Sequence, residues 1–131
     1  MKYLLLMNYK VEGVQPIDTW DPEDIKAHLD FQNRLGEELM NNGEFVDGQG
    51  LAGPEEASIV ISDGRAAPVV TDGPFPESKE FLAGYWLVEV ETPQRALDIA
   101  AKASAAPGPG GVPIKQPMEV RRVLDAPSVD D

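Results

Sequence analysis

The run FLAGYWLVEV, residues 81–90, is apolar on both of its alternating sets. Successive side chains of a strand point to opposite faces. Leu82, Gly84, Trp86, Val88 and Val90 therefore share one face, and Phe81, Ala83, Tyr85 and Leu87 share the other. Helices can cover the first. The second needs a different cover, because burying apolar surface stabilises by about 25 cal/mol per Å² and an exposed apolar face promotes association. The expectation is a sheet with helices on one side and the second subunit of a homodimer on the other.

The rest of the chain supplies such a sheet. KYLLLMNY at 2–9 reads as a first strand whose alternating sets are also mainly apolar. DPED then opens a helix: Asp21 is placed to accept free N–H groups, Pro22 suits the first helical position, and Glu23 and Asp24 favour the dipole. That helix is expected to reach about Asn42, with Gly43 as its stop. FVDGQGLAG reads as a short strand fraying into a glycine-rich loop. ASIVIS, the two-residue turn signal Asp63-Gly64, and APVVT read as a hairpin. Thr92 and Pro93 open a second helix over 93–105, APGPGGVP breaks it, and MEVRRVL at 118–124 reads as the last strand. The order is βαββαβ with an inserted β-hairpin, the pattern of a ferredoxin-like α+β sandwich. Residues 1–124 are expected to form one domain and 125–131 an acidic C-terminal tail.

Charge and composition exclude several functions. A net charge of -12, with 11 Lys and Arg residues, disfavours nucleic acid and anionic lipid. The absence of cysteine removes disulfides, thiolate nucleophiles and Cys-type zinc sites. No segment has the length of a membrane span or the pattern of a signal peptide, so a soluble cytoplasmic protein without direct nucleic-acid or membrane partners is expected. Phosphate-binding glycine motifs are missing, and Gly108-Pro109-Gly110-Gly111 has proline where a cradle needs an amide donor. A single histidine makes a His-rich metal site untenable. No cofactor or metal is expected.

His28 is that histidine. On a helical wheel it falls inside an arc formed by Ile25, Leu29, Phe31, Leu35, Leu39 and Met40, with Gln32 one turn on. Two polar groups on an inward face need partners. Either His28 is structural, bonded to backbone or to Gln32, or it is a general acid or base at a pocket wall. Asp72 in T-D-G-P is a natural turn residue. It also immediately precedes the doubly apolar strand, which would place it at the mouth of a cavity. Glu77, Lys79 and Glu80 form a charged cluster that reads as a solvated face or as salt-bridged loop residues. Glu119 and Arg121 share a face of the last strand, where Arg121 either holds a substrate carboxylate or forms an intersubunit salt bridge.

The opening MKYLLLM, the Gly50-Leu51 segment, the Asp63-Gly64 turn, the block Thr71-Asp72-Gly73-Pro74-Phe75 with Glu77, Lys79, Glu80 and Gly84, and the terminal MEVRRV resemble the DGPF family of YCII-related proteins over about residues 1–124. The resemblance implies a fold similar to muconolactone isomerase, in which two subunits form a dimeric α/β barrel. It also implies a His–Asp acid/base pair, with KAHLDF around His28 as the histidine segment. The aspartate-containing segment of simpler members is missing after the second helix, which leaves Asp72 as the candidate partner. The site residues are then His28 and Asp72 as catalytic groups and Gln32, Phe75, Tyr85 and Arg121 as substrate-binding groups. Two functions follow: an isomerase- or lyase-like enzyme acting by proton transfer on a small oxygenated organic molecule, or a noncatalytic small-ligand sensor associated with an extracytoplasmic-function sigma factor.

Overall fold

The computed structural model describes residues 1–10, 17–72 and 80–126. Its elements in chain order are β1 (Lys2–Lys10), α1 (Pro22–Asn41), β2 (Phe45–Gly50), β3 (Ser58–Ile61), β4 (Val69–Asp72), β5 (Glu80–Glu89), α2 (Pro93–Ser104) and β6 (Met118–Arg122). Four strands form an antiparallel sheet in the order β2-β5-β1-β6. Both helices contribute to one core on one of its faces, an α+β architecture compatible with a ferredoxin-like fold. β3 and β4 pair with each other as a separate two-stranded sheet.

Local chemistry accounts for the helix ends. Pro22 opens α1, and the backbone carbonyl of Asp21 accepts from the amides of Asp24 and Ile25 at 2.9 and 3.1 Å. The Asp21 side chain, expected to cap, makes no capping bond. At the other end Gly43 takes φ +72, a left-handed conformation open to glycine without a Cβ penalty. The amides of Gly43 and Glu44 then return to the carbonyls of Met40 and Leu39. In α2, Thr92 does cap, its hydroxyl accepting from the Arg95 amide at 3.2 Å.

The core joins Tyr3 and Leu5 of β1, Val88 and the following Val90, Leu35 and Leu39 of α1, and Ala96, Ile99 and Ala100 of α2. Leu5, Leu39, Ile99 and Val88 are fully buried, each worth roughly 1.5–3 kcal/mol of transfer free energy. The inward stripe of α1 is narrower than the wheel predicts. His28, Leu35, Gly36 and Leu39 are buried, whereas Leu29 and Met40 face outward. Gly36 lies against the Trp86 ring, where even a Cβ would come within 3.8 Å, so the helix sits close to the sheet there.

Two departures from the strand pattern have local causes. The β1–β5 register shifts between Met7 and Asn8, pairing Met7 with Gly84 but Asn8 with Leu82. Ala83 is the extra residue, and beyond it the alternation of β5 is out of phase, removing Leu82 from the Trp86 set. The Asp63-Gly64 dipeptide does not close a two-residue turn, since Ile61 pairs with Val69 and residues 62–68 form the loop. Asp63 instead accepts from the amides of Arg65 and Ala66 at 2.9 and 3.0 Å, organising a wider turn.

An ionic cluster fastens the helices to the start of β2. Arg95 of α2 forks onto Glu44 with two 2.8 Å bonds, and Lys102 reaches Glu38 of α1 at 2.7 Å. The Arg95 guanidinium, as hydrogen-bond partner, holds the Glu44 carboxyl below its ordinary range, and Glu44 in turn raises Arg95.

Candidate functional site

The side of the sheet turned away from the helices carries two rows of side chains. Strand pairing aligns Asp47, Leu87, Leu4 and Arg121 across β2, β5, β1 and β6, and beside them Gln49, Tyr85, Leu6 and Glu119. Alternation fixes the face: Tyr3, Leu5, Trp86, Val88 and Val120 belong to or pack on the core, so their neighbours point the other way.

At the β2 edge of this face the Tyr85 hydroxyl donates to Oδ2 of Asp47 at 2.8 Å. The Gly48 amide donates to Oδ1 at 2.9 Å, and the Gln49 carboxamide approaches the same oxygen at 3.4 Å. These donors, the Tyr85 hydroxyl first, hold the Asp47 carboxyl below its ordinary range. The same bond raises the Tyr85 phenol. The result is a carboxylate kept ionised and aimed by a phenol, beside leucines. Among the described residues its hydrogen-bond partners include no basic side chain. Arg121 lies at the far end of the row, with its side chain 71% exposed and a 3.5 Å contact to Glu119.

His28 occupies a different place, on the helix side. The residue is 5% exposed, and Nδ1 lies 3.0 Å from the Pro107 carbonyl oxygen. A carbonyl only accepts, so Nδ1 is the donor, and in the neutral tautomer Nε2 is the nitrogen with the lone pair. The Trp20 ring meets the imidazole edge-on at 5.4 Å. The 3.2 Å bond from the Gly110 amide to Asp24 adds a second tie between α1 and the loop after α2. This is the geometry of a histidine that fixes a loop to a helix. Gln116 does comparable work on the next segment: buried, it donates to the Asn8 carbonyl at 2.7 Å.

A cleft of about 420 Å³ opens where β2 and β5 leave the sheet. Leu51, Ala52, Gly53, Pro54, Glu56, Ala57, Phe81 and Leu82 line it. Its volume lies within the range of small-molecule pockets and its wall is mainly apolar, with Glu56 as the ionisable group of that lining. The 2.8 Å bond from the Leu51 amide to the Ala83 carbonyl holds one wall to β5.

Asp72 ends β4, exposed and paired in register with Ser58. No hydrogen bond joins it to His28 among the described residues. Gln32 is half-buried on α1. Tyr85 and Arg121 do share the open face, in adjacent rows with β1 between their strands. Phe75 lies outside the described residues, as do Gly73, Pro74, Glu77 and Lys79. Sequence reasoning missed Asp47 and the cleft. The alternation Asp47-x-Gln49 places two polar groups on one face, but FVDGQG reads as a fraying strand because of its glycines.

No helix among the described residues is long and apolar enough to cross a membrane. The family model described as "YCII-related domain" matches residues 1–113. A 76-residue stretch is 32% identical to "Uncharacterized protein R00369" of Rhizobium meliloti (strain 1021), covering 57% of this chain and 60% of that relative. The chain thus spans less than two thirds of the relative's length. On the family match, which takes in both helices, the four-stranded sheet up to β5 and the cleft, the chain belongs to the YCII-related domain family.

Proposed function

We propose that this YCII-related protein binds a small organic molecule in the cleft between the 51–57 segment and the Phe81–Leu82 end of β5. The observation that carries this reading is the cleft itself: about 420 Å³, mainly apolar, with one carboxylate at its wall. A ligand with an apolar body and a single polar head suits that lining. The net charge of -12 disfavours multiply charged anions. Thermal-shift screening of phenols and small organic acids tests it: binders raise the melting temperature, and Ala52→Phe, which fills the cleft from an exposed position, abolishes the shift.

A second reading retains acid/base catalysis by His28 with Asp72 as its carboxylate partner and Gln32, Phe75, Tyr85 and Arg121 around the substrate. The tautomer enforced by the Pro107 carbonyl favours it, because it leaves Nε2 as the nitrogen able to take a proton. His28→Gln and Asp72→Asn would both lose turnover while remaining folded. Turnover unchanged in either variant removes this reading. A homodimer belongs with both, since the leucines of the open sheet face need a cover. Sedimentation as a monomer at micromolar concentration would argue against it.

A further inference from the structure

The open sheet face has opposite charges at its two ends and leucines between them. In one row Asp47 and Arg121 are separated by Leu87 and Leu4. Three strand spacings put the ends about 14 Å apart, too far for them to pair within one chain. Asp47 is fixed in place by Tyr85 and Gly48, and Arg121 extends from the opposite edge largely exposed. Among the described residues Asp47 has no cationic partner, and Arg121 has a single 3.5 Å contact, to Glu119 of its own strand.

We propose that, in a face-to-face homodimer, Arg121 of the partner subunit reaches across this face and completes the Tyr85–Asp47 group. This rests on the homodimer proposed above and adds its register. A two-fold axis lying in the plane of the face, along the strands and between β5 and β1, exchanges the two halves of each row. It sets Asp47 against the partner subunit's Arg121, Leu87 against Leu4, Gln49 against Glu119 and Tyr85 against Leu6. Each contact is complementary: anion with cation, hydrocarbon with hydrocarbon, amide donor with carboxylate. The pattern occurs twice by symmetry, as an isologous interface requires. Sheets packed face to face lie about 10 Å apart, a gap that an arginine and an aspartate side chain together can span. Among the described residues Oδ2 accepts from Tyr85 alone, so an acceptor site is left there for a charge-assisted bond from the partner's guanidinium.

Charge reversal read by sedimentation equilibrium tests this on the full chain, with circular dichroism confirming the fold of each variant. Asp47→Arg and Arg121→Asp should each weaken association at least about tenfold, because each places like charges against one another twice per dimer. Combining Asp47→Arg with Arg121→Asp should restore most of the loss. Asp47→Asn, which keeps the side-chain shape, should weaken association less than Asp47→Arg does. A monomeric wild type overturns the homodimer itself. A dimeric wild type whose affinity is unchanged by the reversals, or not restored by combining them, leaves the dimer standing and overturns the Asp47–Arg121 pairing.

Discussion

Tyr85 donates its hydroxyl proton to Asp47 at 2.8 Å across the β2–β5 pair, so the phenol and the carboxylate set each other's protonation. Removing the hydroxyl with Tyr85→Phe leaves the Gly48 amide and Gln49 as the remaining donors. The Asp47 titration midpoint, followed by carboxyl NMR, should then move up toward the ordinary aspartate value of about 3.9. An unchanged midpoint would mean that the phenol does not hold the carboxylate.

The Glu44–Arg95 fork predicts an acid sensitivity. Glu44 has a folded-state value below its ordinary one, so its contribution is complete above the unfolded value of about 4.3 and is lost as pH falls through the depressed folded value. Glu44→Gln should cost about 1–2 kcal/mol at neutral pH, since the pair is only partly exposed. The cost should shrink on acidification. Urea denaturation at pH 7 and pH 3 measures both.

His28→Ala should destabilise by about 2–4 kcal/mol, through the void beside Trp20 and the lost donor to the Pro107 carbonyl. His28→Asn, which retains a donor on a shorter side chain, should recover part of the loss. Equal midpoints for wild type and His28→Ala in urea would remove the loop-fixing role.

Gly84 is pressed between β1 and β2. A Cβ there would lie 2.7 Å from Met7 Cε and 2.8 Å from the Gln49 carbonyl oxygen. The methionine end can swing away but the backbone oxygen cannot, so Gly84→Ala should cost about 1–3 kcal/mol. Thermal denaturation reads it directly.

Much of the fold is legible in the sequence because its signals are local. Pro22 and Gly43 bound α1, Thr92 and Pro93 start α2, and the apolar strands announce themselves. What is not legible depends on partners far along the chain. The Ala83 bulge exists only against Met7 and Asn8, and it re-faces Leu82. Leu29 and Met40 satisfy the helical period yet stay about half exposed. The bond between His28 and Pro107 joins residues distant in sequence, so no local pattern marks His28 as its donor. Asp47 acquires its meaning from Tyr85 on a neighbouring strand. The cleft is assembled from two segments separated by the β3–β4 pair, and no motif marks it.

The central claim, binding of a small organic molecule at the end of β2 and β5, is tested most directly by amide NMR during titration with the phenols and organic acids that raise the melting temperature. Shifts should concentrate at Leu51, Ala52, Gly53, Glu56, Ala57, Phe81 and Leu82, the amide-bearing lining of the cleft, and should vanish in Ala52→Phe. Shifts centred on His28 and Pro107, or binding by Ala52→Phe equal to wild type, would contradict it.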